Sequence, residues 1–335
     1  MFTYTIRRLL LAIPTVLVIS LVIFMLLELA PGDPMADVPL TVPPEVKAQM
    51  RSALGLDEPS YIRYGLWLKQ FFYVEPLHLV DVWLGTNHAD GMLRVLSWQT
   101  RSPVVDLIAQ RLPQTLWVVG MGYLIGVSLA IPIGVISAYR QYSWFDQIGT
   151  FISMVGYSVP TFFTGVLLIV VFSVYLQWFP SIYDTTLVVN SWSTFVLQVK
   201  QMVLPITVLA LFNAAQISRF MRASMLDNLQ QDYVRTARSK GMTEKVVVLL
   251  HVLRNSLIPV VTVIALGVPS IFAGAIITEQ VFKVNGIGQL LINAIQSNDL
   301  PMVQSLTFIF AVLIVFFNLI ADVLYGILDP RIRYD

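Results

Sequence analysis

Six long apolar runs constrain this chain more than any other feature. The first, 9–29, carries no charged side chain until Glu28, and comparable runs occupy 115–139, 150–176, 202–220, 258–281 and 306–327. A helix needs about 20 mostly apolar residues to cross the hydrocarbon core of a membrane, and each run meets that length. Only 12% of the 335 residues are charged, whereas 56% are hydrophobic. Soluble domains carry about 25% charged residues, so the composition excludes an ordinary soluble domain and a disordered chain alike. The expected fold is an all-α membrane protein with six transmembrane helices. A net charge of +1 argues against a nucleic-acid partner. The absence of cysteine removes disulfides, thiolate metal sites and a cysteine nucleophile from consideration.

The first run follows Arg7 and Arg8, as a signal peptide's would. It is longer than the usual 7–15-residue signal core, and Pro31 would follow a cut at Ala30, so an uncleaved helix is expected. Prolines 132, 160, 205, 259 and 269 and glycines 120, 126, 134, 165, 267 and 274 fall within the runs. They read as packing residues, because neighbouring helices satisfy freed backbone groups and small residues let helices approach closely.

Lys and Arg near the span ends set orientation. Arg7, Arg8, Arg140, Arg219, Arg222, Arg235, Arg238, Lys240, Lys245, Arg254, Arg331 and Arg333 fall on one side; the short segments opposite carry only Lys200 and Lys283. Both termini are therefore expected in the cytoplasm. The chain divides into 1–30 with the first span, an external segment at 31–114, and a core of five spans at 115–335. Within that core, 219–255 is cytoplasmic.

The external segment predicts short helices. Pro43-Pro44-Glu45 opens one, Val46, Met50 and Leu54 share its face, and Gly55 ends it. A second, at 60–72, is rich in aromatics (Tyr61, Tyr64, Trp67, Phe71, Phe72), which suits either a membrane interface or packing against other external helices. Ser102-Pro103 caps a third that reaches Arg111. Residues 74–98 suggest no element.

The cytoplasmic segment is polar, basic and helix-prone, and Gly241 predicts a sharp turn between two helices. Tyr233, Val234 and Ala237 share one face, with Arg235, Arg238 and Lys240 around the rest. On physics alone, such a helix either docks into a groove on a soluble partner or stays solvated near anionic headgroups.

Residues Asp232-Tyr233-Val234-Arg235-Thr236-Ala237-Arg238-Ser239-Lys240-Gly241 resemble the cytoplasmic motif of ABC-importer permeases, in the form used by the oligopeptide/dipeptide/nickel branch. Ala237 and Gly241 keep the motif's last Ala and its Gly, while Arg235 and Thr236 replace its first two positions; Pro259 resembles its later proline. Arg7-Arg8, Pro31-Gly32-Asp33-Pro34, Leu54-Gly55-Leu56-Asp57-Glu58-Pro59, Arg111-Leu112-Pro113-Gln114-Thr115-Leu116, Thr278-Glu279-Gln280-Val281-Phe282, Gly286-Ile287-Gly288-Gln289-Leu290-Leu291 and Asp329-Pro330-Arg331-Ile332-Arg333-Tyr334 are similar to other family segments. The chain departs from the family between Phe72 and Thr100, where Trp83-Leu84-Gly85-Thr86-Asn87 stands in place of a short Gly-Asp connection.

The resemblance implies a transport subunit in a prokaryotic cell membrane. It works with a second related permease, two cytoplasmic ATPase subunits or domains, and an external substrate-binding protein. It places ATPase coupling on Tyr233, Arg235, Thr236, Ala237, Arg238, Lys240 and Gly241. Oligopeptides are the expected cargo, with oligosaccharides or nickel as alternatives. No Gly-x4-Gly-Lys-Ser/Thr phosphate loop occurs, so no ATPase site of its own is expected. No catalytic set, cofactor site or metal spacing is visible, and His78, His88 and His251 stand apart. Pathway candidates are the polar residues Asn213, Gln216 and Ser218 and the carboxylates Glu279 and Asp322, since ionisable groups near membrane depth default to function. Two other classes stay in view. A stand-alone secondary transporter would show an inverted repeat with broken helices, and a membrane enzyme would need clustered reactive side chains at membrane depth.

Overall fold

A computed structural model describes residues 2–29, 43–45, 57–273 and 275–328, and among them every regular element is helical. The motifs at 31–34, 54–56 and 329–334, and all but the opening residues 43–45 of the helix expected to end at Gly55, lie outside the described residues. The helices are α1 (Phe2–Glu28), α2 (residues 60–84), α3 (Val104–Tyr139), α4 (Trp144–Ser158), α5 (Thr161–Tyr175), α6 (Trp192–Leu229), α7 (Asp232–Ser239), α8 (Glu244–Phe272), α9 (Ile276–Phe282), α10 (Ile287–Gln296) and α11 (Leu300–Leu328). Five of them are long and apolar enough to cross a membrane, and α4 with α5 makes a sixth when counted as one bent span.

Several boundaries differ from the sequence expectation. The run at 150–176 is not one straight helix; α4 and α5 meet at 105°. Val159 is extended (φ −81°, ψ 127°) ahead of Pro160. Proline disfavours helical backbone in the residue before it and lacks the N–H that would continue the ladder. The third external helix and the second span form one element, α3, with Pro113 inside it and a π-helical turn at Leu116–Gly120 just beyond. The fifth run is divided: α8 begins well before it, at Glu244, and non-helical Ala275 (φ −95°, ψ 73°) separates α9. Helix α2 runs on through a π-helical turn at Gln70–Val74 to Leu84, into the stretch without sequence signal.

The chain forms two compact units, one of Met1–Leu10, Leu112–Gln289 and Leu313–Asp335, the other of Leu11–Arg111 and Leu290–Val312. The first is organised by α3 against α6. Gly122, Gly126, Ala130, Gly134 and Ala138 recur at every fourth position and so line one face of α3. A Cβ added at Gly122, Gly126 or Gly134 would come within 2.7 Å of Leu209 Cβ, 2.7 Å of Asn213 Cβ or 2.6 Å of Met221 Cβ. The backbones therefore leave no room for a side chain between them, a contact that works in lipid because it gains dispersion where no hydrophobic drive exists. Partners advance in step along both helices, so α3 and α6 run parallel. Ser143 and Ser191 cap α4 and α6; the second is a full capping box with Thr194. Asp146 on α4 takes a bidentate ion pair from Arg222 on α6 at 2.7 and 2.8 Å.

In the second unit, Tyr64, Trp67 and Phe71 of α2 turn inward, onto Phe24 of α1 and Phe308 of α11. The Tyr64 hydroxyl meets Ser20 Oγ at 2.8 Å, and Arg63 and Ser60 donate to Glu28. Tyr61, Phe72, Tyr73 and Trp83 stay exposed. The stretch beyond α2 is held by polar groups. The half-buried Arg94 guanidinium grips Glu75 of α2 and Asp106 of α3 at 2.7–2.9 Å. Asp299, just ahead of α11, accepts from Ser97 Oγ and Trp98 N. Gly85, at φ +69°, ends α2, and Asp81 accepts from Thr86 Oγ1 and Ala89 N.

Candidate functional site

The segment between α6 and α8 combines a buried inner face with a basic outer one. Helix α7 is only eight residues long, too short to hold itself in water, so it depends on its inner face. Val234 is 0% exposed and Ala237 6%. Both pack into the chain's own core with Met225, Val247, Val248 and Val252. Tyr233 is half-buried, and its hydroxyl donates to Asn228 Oδ1 at the end of α6 (2.7 Å).

The turn after α7 is a Schellman motif. Gly241 N donates to Arg238 O at 3.0 Å, Met242 N reaches Ala237 O at 3.4 Å, and Gly241 adopts φ +75°. That conformation is left-handed, open to glycine and strained for other residues. Arg238 bridges the turn, donating to both carboxylate oxygens of Glu244 at the start of α8 (2.6 and 3.2 Å). This contact raises the Arg238 pKa above its ordinary value. Arg235, Thr236, Lys240 and Gly241 are exposed, and Met242, Val246, Leu249 and Leu250 add exposed apolar surface beside them.

The seven expected coupling residues therefore divide. Tyr233 and Ala237 face the chain's own core, Arg238 ties the turn, and Arg235, Thr236, Lys240 and Gly241 form the outer rim. Burial of position 237 was not legible in the motif, because the same Ala spacing suits an inward or an outward face. The neighbouring valines 247, 248 and 252 carried the missing signal.

The polar candidates divide as well. Asn213 is half-buried on α6 against Gly126, and its amide donates to Leu209 O at 2.8 Å. Gln216 is half-buried one turn on. Ser218 is buried and meets Ser153 Oγ of α4 at 3.3 Å. Asp322 pairs with Arg8 at 2.9 Å. Glu279 differs most from expectation: it is 0% exposed and faces no open surface. Its carboxylate accepts from Thr115 Oγ1 (3.2 Å) and Gln289 N (2.9 Å), while Gly286 and Gly288 lie so close that a Cβ on either would strike it. It acts as a brace where α9 meets α10. Elsewhere, α3 and α6 border a groove of about 800 Å³ lined by Trp117, Met121, Val203, Ile206, Tyr183 and Gln198. Among the described residues no group of His, Cys, Asp and Glu is arranged to hold a metal ion.

Parallel close-packed apolar helices, a bent helix pair and a short basic helix between two long ones define a helical multi-span membrane protein. The model for the binding-protein-dependent transport system inner membrane component matches residues 130–334, and that family's N-terminal model matches 1–119. The chain is 39% identical over 338 residues to the oligopeptide transport system permease protein AppB of Bacillus subtilis, covering 100% of each. It is 37% identical over 338 residues to the glutathione transport system permease protein GsiC of Escherichia coli, again covering 100% of each. The chain belongs to the family of binding-protein-dependent transport system inner membrane components: it is an ABC-importer permease, a multi-pass protein of the bacterial cell membrane.

Proposed function

We propose that this chain is one of two permeases of a peptide importer, that it couples to an ATPase through residues 232–241, and that both its termini are cytoplasmic. One observation carries the coupling reading. Helix α7 is riveted to the core by Val234 and Ala237, while Arg235, Thr236, Lys240 and Gly241 project from it between two spans. A push on the rim is thereby delivered to α6 and α8 as rigid-body motion, the kind of rocking that alternates access across a membrane.

The parallel course of α3 and α6 supports the six-span topology, since the second and fourth spans must run the same way. With α4 and α5 as one bent span, residues 31–114 face outside, toward the binding protein, and 115–335 make the core. Asn213 and Gln216 are proposed for the pathway, completed by the second permease. The named activities of the two relatives, oligopeptide and glutathione transport, favour a peptide over an oligosaccharide or nickel. A stand-alone secondary transporter has no observation in its favour.

The test uses the intact transporter. The second permease and the ATPases are expected to co-purify with this chain. Arg235→Glu with Lys240→Glu is expected to release the ATPases and abolish uptake while the permease pair stays in the membrane. Full uptake by that variant, or by this chain alone, overturns the reading.

A further inference from the structure

We propose that an anionic phospholipid of the cytoplasmic leaflet binds between α4, α5 and α6, its phosphate on Arg219 and an acyl chain in the groove below. The 105° bend at Val159-Pro160 takes α5 off the line of α4, so the two cannot close over α6. They leave a groove of about 710 Å³ with almost wholly apolar walls, among them Ile148, Ile152, Val155, Phe163, Leu167 and Leu211. One end of this groove is not apolar. Gly149, Ser153 and Ser218 line both the groove and an adjoining small cleft, and that cleft adds Thr150, Arg219 and Arg222. Hydrocarbon walls running into hydroxyls and guanidinium groups match a lipid tail joined to a phosphate.

The charges decide which kind of lipid. Arg222 is already neutralised by Asp146. Arg219 is exposed and lies 5.8 Å from the ring centroid of Tyr157, and among the described residues no carboxylate pairs with it. One positive charge is thus left at the mouth, and a phosphodiester with a net negative headgroup, such as phosphatidylglycerol, satisfies it. A zwitterionic headgroup brings its own cation to the same place. Basic pockets between membrane helices on the cytoplasmic side suit anionic headgroups in this way. The leaflet assignment rests on the topology proposed above.

Native mass spectrometry of the intact transporter, from nanodiscs of equal phosphatidylcholine and phosphatidylglycerol, tests the site. Wild type is expected to retain phosphatidylglycerol selectively. Arg219→Gln is expected to lower that retention about fivefold, from the value of one basic residue near an anionic surface. Ile152→Trp, which fills the groove, is expected to lower retention of the lipid while ATPases remain attached. Arg254→Gln, outside groove and cleft, is expected to change nothing, and Arg219→Lys to keep most of the selectivity. Equal retention of both lipids, an unchanged Arg219→Gln, or a cross-link from Ile152→Cys to the second permease overturns the proposal. The same spectra report bound ATPases, so wild type that holds its ATPases but retains both lipids equally sinks the lipid site alone; failed coupling with selective lipid retention sinks only the coupling reading.

Discussion

Single residues in this chain act mostly by what they exclude. Gly126 leaves room for Asn213, whose Cβ would lie 2.7 Å from any Cβ at 126, with Ala210 O at 3.0 Å. Gly126→Leu is expected to destabilise the α3–α6 contact by about 1–3 kcal/mol, the usual range for overpacking. A lower midpoint of thermal unfolding in detergent checks it; an unchanged midpoint means the helices are not this close. Asp81 acts by what it accepts. The Thr86 hydroxyl, followed by the Ala89 N–H and His88, holds its carboxyl well below the usual carboxylate range. A depressed folded pKa contributes stability above the unfolded value that is lost only as pH falls through the folded one. Proteolysis at residues 85–91 is therefore expected to stay flat from about pH 7 to about pH 4 in wild type. In Asp81→Asn, cleavage is expected to be faster across the whole range. Most of this residue-level detail was invisible beforehand. Glycines 126 and 134 read as packing residues from the sequence, but the stripe from Gly122 to Ala138 gains meaning only opposite the matching row Leu209, Asn213 and Met221.

At the scale of elements, the turn at Gly241 shows how far a motif carries. Gly241 was readable as a turn because only glycine adopts φ near +75° without strain. Gly241→Pro places a residue with φ near −65° there and removes the N–H that reaches Arg238 O, so the motif cannot close. Loss of uptake with the permease still inserted is the expected outcome, measured as transport into vesicles against membrane content. Ala237→Asp makes a poorer test of docking, since it buries a charge among Met225, Val234 and Val248 and damages the fold itself. Element boundaries were legible where one residue dominates, as Gly241 does. They were not legible where composition is uniform. Nothing between Thr150 and Leu176 interrupts the apolar run, and proline is tolerated in many membrane helices, so Pro160 alone did not announce a 105° break. Residues 74–98 failed for the opposite reason. Their order comes from Arg94 between Glu75 and Asp106, and from Asp299 on Ser97 and Trp98, contacts between positions far apart in the chain.

For the whole molecule, orientation is the open quantity that one experiment decides. Single cysteines at exposed Lys240 and Trp83 are expected to react with a membrane-impermeant maleimide from opposite sides, position 83 in intact cells and position 240 only in inverted vesicles. Labelling of both from one side overturns the topology. By itself the sequence determined that the chain lives in a membrane, which stretches are long and apolar enough to cross it, and which importer family it resembles. Those properties follow from run length, charge placement and a local motif, and none needs a distant contact. Tertiary structure decided which of the described side chains turn inward and which stay exposed. It turned Ala237 inward, enclosed Glu279 as a brace, and left Arg219 uncovered above an apolar groove. The reason is physical: length and hydropathy are sums over neighbours in the chain, whereas burial and pairing depend on neighbours in space.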